Sequence, residues 1–419
     1  MPEATPTLWS PFTLGAVELK HRVVMPPLTR NRGTASKVHP RTWVPNDLMV
    51  EYYSQRATDG GLIISEAVPV SLIASGLPGV PGIFTDEQFE GWKKVVAAVH
   101  AKGGLMYCQL WHQGRNSHSS LSGMRPVSSS EVPITDAQHA WRNMPTEPFE
   151  VPHSLTIEEI QATQDDFVKA AVKAREAGFD GVELHSANGT TPDISSINSY
   201  TRTSTSGPTR MEETSRNDAN LPSRRRRKSR APSGRIELVF VSRPLASSTS
   251  REEKTVSISG PICANNSLEW VAWLMCAFVS PPLRTTWRAG TDFFSSELTS
   301  HLIEPRFDEM RSENEKLVAL GKENIASDEI SLKPFRRALG TTPVIAAGGY
   351  NAENCYEGIE NGEHDLVAFG RYFCSNPDLV ERLREKKPLL HYNRERFYGP
   401  FLDNEVGYTV QVSLETPGK

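Results

Sequence analysis

Thiol pairs are what this 419-residue chain most plainly lacks: it has five cysteines and no CxxC among them. Cys108, Cys263, Cys276, Cys355 and Cys374 are odd in number and widely spaced, which speaks against a disulfide framework and against a zinc site. A reduced, cytoplasmic setting is expected. Long hydrophobic runs are missing as well. The longest, WVAWLMCAFV at 270–279, is too short to span a bilayer. The N-terminal MPEATPTLWSPFTLG has neither the basic nor the apolar region of a signal peptide. No internal repeat of fixed period is present, and the net charge of −4 is ordinary for a globular protein. Neither a membrane nor a nucleic-acid partner is expected.

A further absence is local. Residues 190–260 are rich in Ser, Thr and Arg and sustain no apolar period, whereas 1–189 and roughly 298–410 alternate apolar runs with amphipathic stretches. The runs are VVMPPL (23–28), GLIISEA (61–67), GLMYCQLW (104–111), GVELHSA (181–187), HLIEP (301–305), PVIAAGG (343–349) and DLVAFGR (365–371). Helical patterns separate them, such as NDLMVEYYSQRAT, DEQFEGWKKVVAAVH and IEEIQATQDDFVKAAVKAREAG. Thr85 with Gln88 and Thr156 with Glu159 are capping boxes. Gly103 and Gly178 stand where helix C-caps belong.

Apolar strands alternating with helices predict a parallel sheet covered by helices. Seven runs are one short of a closed (β/α)8 barrel, and the gap falls inside the anomalous segment. The expected fold is therefore a (β/α)8 TIM barrel with one strand region disrupted or irregular. Its parts are 1–189 (strands one to four), the irregular 190–297, and 298–419 with a phosphate site.

Polar residues gather at the C-terminal ends of the runs: Thr29, Glu66, Gln109, His112, His185, Asn188 and Arg371. In a barrel these ends share one face, the face that carries active sites. His185 and Asn188, three residues apart, can both donate to one carbonyl oxygen and stabilise the enolate formed when hydride adds to a conjugated double bond. Gly348 and Gly349 end one run; Gly370 and Arg371 end the next. Close backbone amides and a cation there suit a phosphate group.

Together these stretches resemble the Old Yellow Enzyme family of FMN-dependent ene-reductases. The resemblance rests on LWSPFTLGAVELKHRVVMPPLTRNR, DLMVEYYSQRATDGGLIISEA, GVPGIFTDEQFEGWKKVVAAVHAKGG, CQLWHQGR, AREAGFDGVELHSANG, AAGGYNAE, LVAFGRYFCSNPDL and FYGP. It implies an enzyme that passes hydride from NADPH or NADH through FMN to a small-molecule enone. It also implies residue roles. Pro26, Pro27 and Leu28 would pack on the isoalloxazine, and Thr29 would hydrogen-bond it near O4. Ala67 and Gln109 would contact its other edge. Gly348, Gly349, Gly370 and Arg371 would hold the phosphate. His185 and Asn188 would bind the substrate carbonyl, while Trp111 and Tyr398 would line the pocket.

The resemblance stops after Gly189. The family continues with Gly-Tyr, its tyrosine acting as proton donor, and a later strand supplies an arginine facing the flavin; here Thr190 follows Gly189. One reading frame away, permitted codons for Pro192–Asp193 to Asn217–Asp218 spell GYLIDQFIHTDVNKRTDAYGGNIEKR, which restores the pattern. Residues from about 190 to 297 are thus read as the same gene out of frame, whether through a gene-model error, an intron or a true lesion. On that reading RRRRK (224–228) needs no nucleic-acid partner. Two other readings stand beside the enzyme: an inactive remnant that cannot close its barrel, and a flavin-binding module with another partner.

Overall fold

The computed structural model describes residues 5–135, 147–185, 237–242, 298–303 and 332–411. Eight parallel strands close into a barrel. In chain order they are β1 (Val23–Met25), β2 (Leu62–Pro69), β3 (Leu105–Trp111), β4 (Gly181–His185), β5 (Glu237–Ser242), β6 (Leu298–Ile303), β7 (Val344–Ala347) and β8 (Leu366–Ala368). Each pairs with its chain neighbour, and β8 returns to β1. All run the same way, so their C-terminal ends form one rim.

The barrel is the expected (β/α)8 fold, but the open edge expected at its fifth position is not found. Glu237–Ser242, sequence ELVFVS, lies between β4 and β6 and completes the ring. A short apolar, valine-containing run is what a buried parallel strand needs. Its Ser- and Arg-rich flanks hid it within the segment expected to be irregular, 190–297.

The strands alternate between two layers. Val24, Leu62, Ile64, Tyr107, Ile345, Ala347, Leu366 and Ala368 fill the interior together with Leu14 and Leu19. These two leucines come from an N-terminal hairpin, Phe12–Leu14 with Val17–Leu19, which plugs the barrel. Val23, Met25, Ile63, Met106, Cys108, Val182, Leu184, Val344 and Val367 point outward into the layer shared with the helices. Complete burial of each such side chain contributes roughly 1.5–3 kcal/mol.

Helices α1 (Asp47–Arg56), α2 (Asp86–His100) and α3 (Ile157–Glu176) supply Tyr52, Tyr53, Trp92, Val95, Val96, Val99 and Phe167 to that layer. Both predicted capping boxes form, at Thr85 and Thr156. Gly103 and Gly178 adopt φ of 74° and 102°, the left-handed conformation a side chain would resist. Between β7 and β8 the chain returns through a short helix, and α4 (Lys333–Leu339) precedes β7.

Candidate active site at the C-terminal rim

The rim gathers most of the residues picked from sequence. Pro26 to Thr29 follow β1, Ala67 lies near the end of β2, Gln109 and Trp111 end β3, and His185 ends β4. Gly348 and Gly349 follow β7. Gly370 and Arg371 do not end β8; they begin helix α5 (Gly370–Ser375) just beyond it. Asn188 lies outside the described residues, and so does the segment read as out of frame apart from β5.

An irregularity in β2 decides which side chains reach this rim. The β2–β3 register jumps between Ile64 and Ala67. Two residues, Ser65 and Glu66, therefore oppose Cys108 alone, and the parity of the strand reverses. Ala67 becomes the partner of Gln109 and joins Leu77, Val80 and Trp111 in a small cluster. The bulge is pinned on both sides. Ser65 Oγ accepts from the Gln109 amide at 2.9 Å, and the Glu66 amide donates to the Tyr53 hydroxyl at 2.9 Å. The Ala67 amide in turn donates to Thr29 Oγ1 at 3.4 Å, which ties β2 to the loop after β1.

The same reversal removes Glu66 from the face where the sequence placed it. Its carboxyl is fully buried, and neither oxygen makes a hydrogen bond. Burial pushes it up to about 8, against the charges of Arg30 and Arg32; the amides of Arg30 and Asn31 favour its ionised form without reaching good hydrogen-bond geometry. His112 is also structural. Its Nδ1 accepts from the Gly114 amide at 3.0 Å and holds the turn after β3, while burial lowers it to about 3.

His112 Nε2 and His185 Nδ1 are both buried without a hydrogen-bond partner, but His112 as a residue is fully enclosed whereas His185 is only half-buried. Burial, followed by the charge of His301, lowers it to about 4, so the imidazole is neutral at pH 7. A neutral ring donates one hydrogen bond without carrying a charge.

Behind His185 lies a polar array that the sequence reading missed. Gln109 Nε2 donates to Glu183 Oε1 at 2.7 Å, and His301 Nδ1 donates to Glu183 Oε2 at 2.9 Å. Glu183 and His301 have side-chain exposures of 0 % and 2 %. The signal was present in GVELH: the parity that turns His185 inward turns Glu183 inward too. Unlike Val182 and Leu184, which face the helices, Glu183 is a carboxylate inside an apolar strand, and such a group needs a partner.

On the opposite side of the rim, Gly348 and Gly349 have φ of 111° and 74°. Asn354 Nδ2 donates to the Gly349 carbonyl at 3.0 Å, and the Asn354 side chain accepts from the Asn351 amide at 2.8 Å, so the loop is held from within. A Cβ built on Gly370 would sit 3.6 Å from Leu28 and 3.8 Å from Pro26, which places β8's end against the loop after β1. The guanidinium of Arg371 lies 5.8 Å from the centroid of the Tyr392 ring. Tyr398 comes from the C-terminal segment. That segment is clasped to the β1 loop, where Arg30 Nε donates to the Phe397 carbonyl at 2.9 Å and the Gly399 amide to the Arg30 carbonyl at 3.0 Å. Among the described residues no group of three or more His, Cys, Asp or Glu could hold a metal ion.

The family model for NADH:flavin oxidoreductase / NADH oxidase proteins matches residues 7–193 and 302–389. Flavin oxidoreductase hxnT of Emericella nidulans is 39 % identical over 418 residues, covering 96 % of each chain. 12-Oxophytodienoate reductase 7 of Oryza sativa subsp. japonica is 34 % identical, covering 98 % of this chain and 95 % of its own. Among solved structures, morphinone reductase in complex with tetrahydroNAD superposes with a TM-score of 0.64 at 29 % identity over 99 % of both chains. The Old Yellow Enzyme homologue from Zymomonas mobilis gives 0.63 at 28 % identity, covering 96 % of this chain and 99 % of that one.

Proposed function

The chain belongs to the NADH:flavin oxidoreductase / NADH oxidase family, and from that premise we propose that it reduces the C=C bond of α,β-unsaturated carbonyl compounds. As a member it is an FMN-dependent oxidoreductase with NAD(P)H as reductant, acting on a small molecule. The inactive-remnant alternative is not supported: the barrel closes.

The rim suits FMN on three observations. It has two successive glycines at positive φ, a half-buried arginine beyond the next strand, and, continuing round the barrel from them, a Thr29–Ala67–Gln109 belt of polar and small groups. When bound, FMN supplies the hydride.

The chain's own residues do the rest. Gly348, Gly349 and Gly370 bring the backbone close to the phosphate, and Arg371 offsets its charge. Pro26, Pro27 and Leu28 form a flat wall for the ring system, with Thr29 and Gln109 giving hydrogen bonds along its edges beside Ala67. His185, with Asn188, donates to the substrate carbonyl, where negative charge builds up as the β-carbon accepts hydride. Trp111, 7 % exposed, and Tyr398 wall the substrate side. The site is thus assembled from 1–189 and 298–419. No helix of the described residues is long and apolar enough to cross a membrane; with Cys108, Cys355 and Cys374 free, we place the enzyme in the cytoplasm.

The buried, unpartnered Nδ1 of His185 at the rim carries this reading. The test is NADPH oxidation by the FMN-loaded chain with and without cyclohexenone. Enone-dependent turnover that collapses in His185→Ala is expected. Oxidation of NADPH indifferent to the enone would overturn the assignment.

A further inference from the structure

A buried carboxyl–imidazole contact inside an apolar barrel is poor stabilisation. Desolvating both groups offsets most of their attraction, and apolar replacements of similar volume are often neutral or better. The Glu183–His301 pair is nevertheless fully enclosed, and its geometry reaches past itself to Gln109.

The two oxygens of Glu183 are divided. His301 Nδ1–H takes Oε2, and Gln109 Nε2–H takes Oε1. Gln109 Nε2 is the atom that stands 2.7 Å from Glu183 Oε1, and a carboxylate oxygen accepts. That settles the orientation of the Gln109 amide: its nitrogen must face Glu183, and its oxygen must face away. Gln109 is otherwise fixed through its backbone, which donates to Ser65 Oγ. Its Oε1 makes no hydrogen bond to any described residue and is not among the buried unpartnered atoms. It is therefore an acceptor presented to the site. Glu183 and Gln109 are also register partners on adjacent strands, so the contact is built into the sheet and needs no loop to hold it.

We propose that Glu183, backed by His301, is a positioning residue that locks the Gln109 amide with its carbonyl oxygen toward the site, to accept from an imide N–H. An imide offers a donor flanked by two carbonyl acceptors. The locked amide offers an oxygen and one remaining N–H, a two-point complement that the flipped amide cannot give. The pyrimidine ring of FMN carries such an imide, so the inference rests on the flavin reading above and adds to it the device that orients Gln109.

The test compares wild type with Glu183→Leu and Glu183→Gln. Three readouts are used: FMN affinity, the alkaline titration of the bound flavin's imide N–H followed by absorbance, and hydrogen exchange of the Gln109 carboxamide by NMR in flavin-free protein. In Glu183→Leu the Gln109 carboxamide should exchange at least roughly tenfold faster and FMN should bind roughly tenfold more weakly, the equivalent of about one hydrogen bond. The imide titration should also move toward that of free FMN. Glu183→Gln, nearly the same shape, should fall between. If Glu183→Leu does not fold, Glu183→Gln carries the same comparison. If wild type binds no FMN, the flavin reading fails, and carboxamide exchange alone decides the positioning role. Unchanged exchange, or unchanged imide titration in folded FMN-loaded Glu183 variants, overturns the proposal.

Discussion

Two sets of buried polar side chains lie in this barrel, and they are finished to different degrees. In the outer layer, Arg56 donates to the carbonyls of Phe373, Tyr52, Cys374 and Tyr408. Arg30 likewise reaches the carbonyls of Phe397, Arg396 and Gly407 and the Tyr52 hydroxyl. Arg32 reaches those of Asn404, Arg30 and Arg396. The rings of Tyr52 and Tyr408 stack on one another at 3.9 Å, and the Arg56 guanidinium lies 3.7 Å from the Tyr52 centroid. In the inner array, His185 Nδ1 and His301 Nε2 are buried and have no partner. Buried polar atoms are ordinarily satisfied. The guanidinium groups are saturated and hold chain segments together, although the Tyr408 hydroxyl beside them has no partner; the inner array keeps two ring nitrogens unsatisfied next to the strand-end rim.

The largest effect should come from breaking the saturated set. Arg56→Met leaves four buried carbonyls without their donor, and a loss of about 3–5 kcal/mol is expected. The urea midpoint should fall, while FMN affinity per folded molecule stays the same. Breaking the unsaturated set should do the reverse. His185→Ala should lower kcat with an enone by roughly 10²–10³-fold, the usual effect of losing one donor to developing negative charge. Its urea midpoint should hold or rise, because the removed ring nitrogen had no partner. A matching stability loss in both variants would erase the distinction.

How far the sequence discloses these two sets depends on whether their logic is local. The capping boxes, the positive-φ glycines and most strand runs follow from short-range patterns, and the rim follows from all strands being parallel. Glu66 was misplaced because a bulge between Ile64 and Ala67 reverses parity, and a bulge leaves little trace in GLIISEA. Its counter-charges, Arg30 and Arg32, are joined to it only through the fold. The Glu183–His301 contact spans 118 residues and skips over β5, so no window of sequence contains it. ELVFVS was legible in principle, from the apolar Leu-Val-Phe-Val at its centre, but the surrounding composition argued for no strand at all.

Smaller effects sharpen the picture within the rim. Arg371→Ala should weaken FMN binding by about 1.5–3 kcal/mol, roughly 10- to 100-fold in Kd, since a charge-assisted contact to phosphate is lost. Equilibrium dialysis measures it, and unchanged affinity would remove Arg371 from the phosphate site. Thr29→Ala should leave FMN affinity within roughly threefold, as one neutral hydrogen bond is at stake. Its signature is a shifted flavin potential, read by dye equilibration.

The smallest expected effect is the absence of one. A histidine at its ordinary value would give kcat/KM an acid limb near pH 6.5. His185 is lowered to about 4 by burial and by the charge of His301, so its protonation should leave kcat/KM level from pH 8 down to about 5. Stability should nevertheless change over that window, and the sign follows from proton counts. Below 6.5 the unfolded chain protonates His21, His112 and His185, whose folded values are about 4, 3 and 4. The fold binds fewer protons there and loses stability as pH falls. Glu66 acts oppositely. Raised to about 8 in the fold, it keeps a proton that the unfolded carboxyl releases above about 4.5, so its contribution is lost as pH rises through 8. Three histidines outweigh one carboxyl between about 4.5 and 6.5, and only the carboxyl acts above that. The urea midpoint should therefore peak near pH 6.5 while kcat/KM stays level across the peak. A limb in kcat/KM near 6.5 that His185→Gln abolishes would show that His185 titrates as an exposed imidazole, and its enclosure at the rim would be wrong.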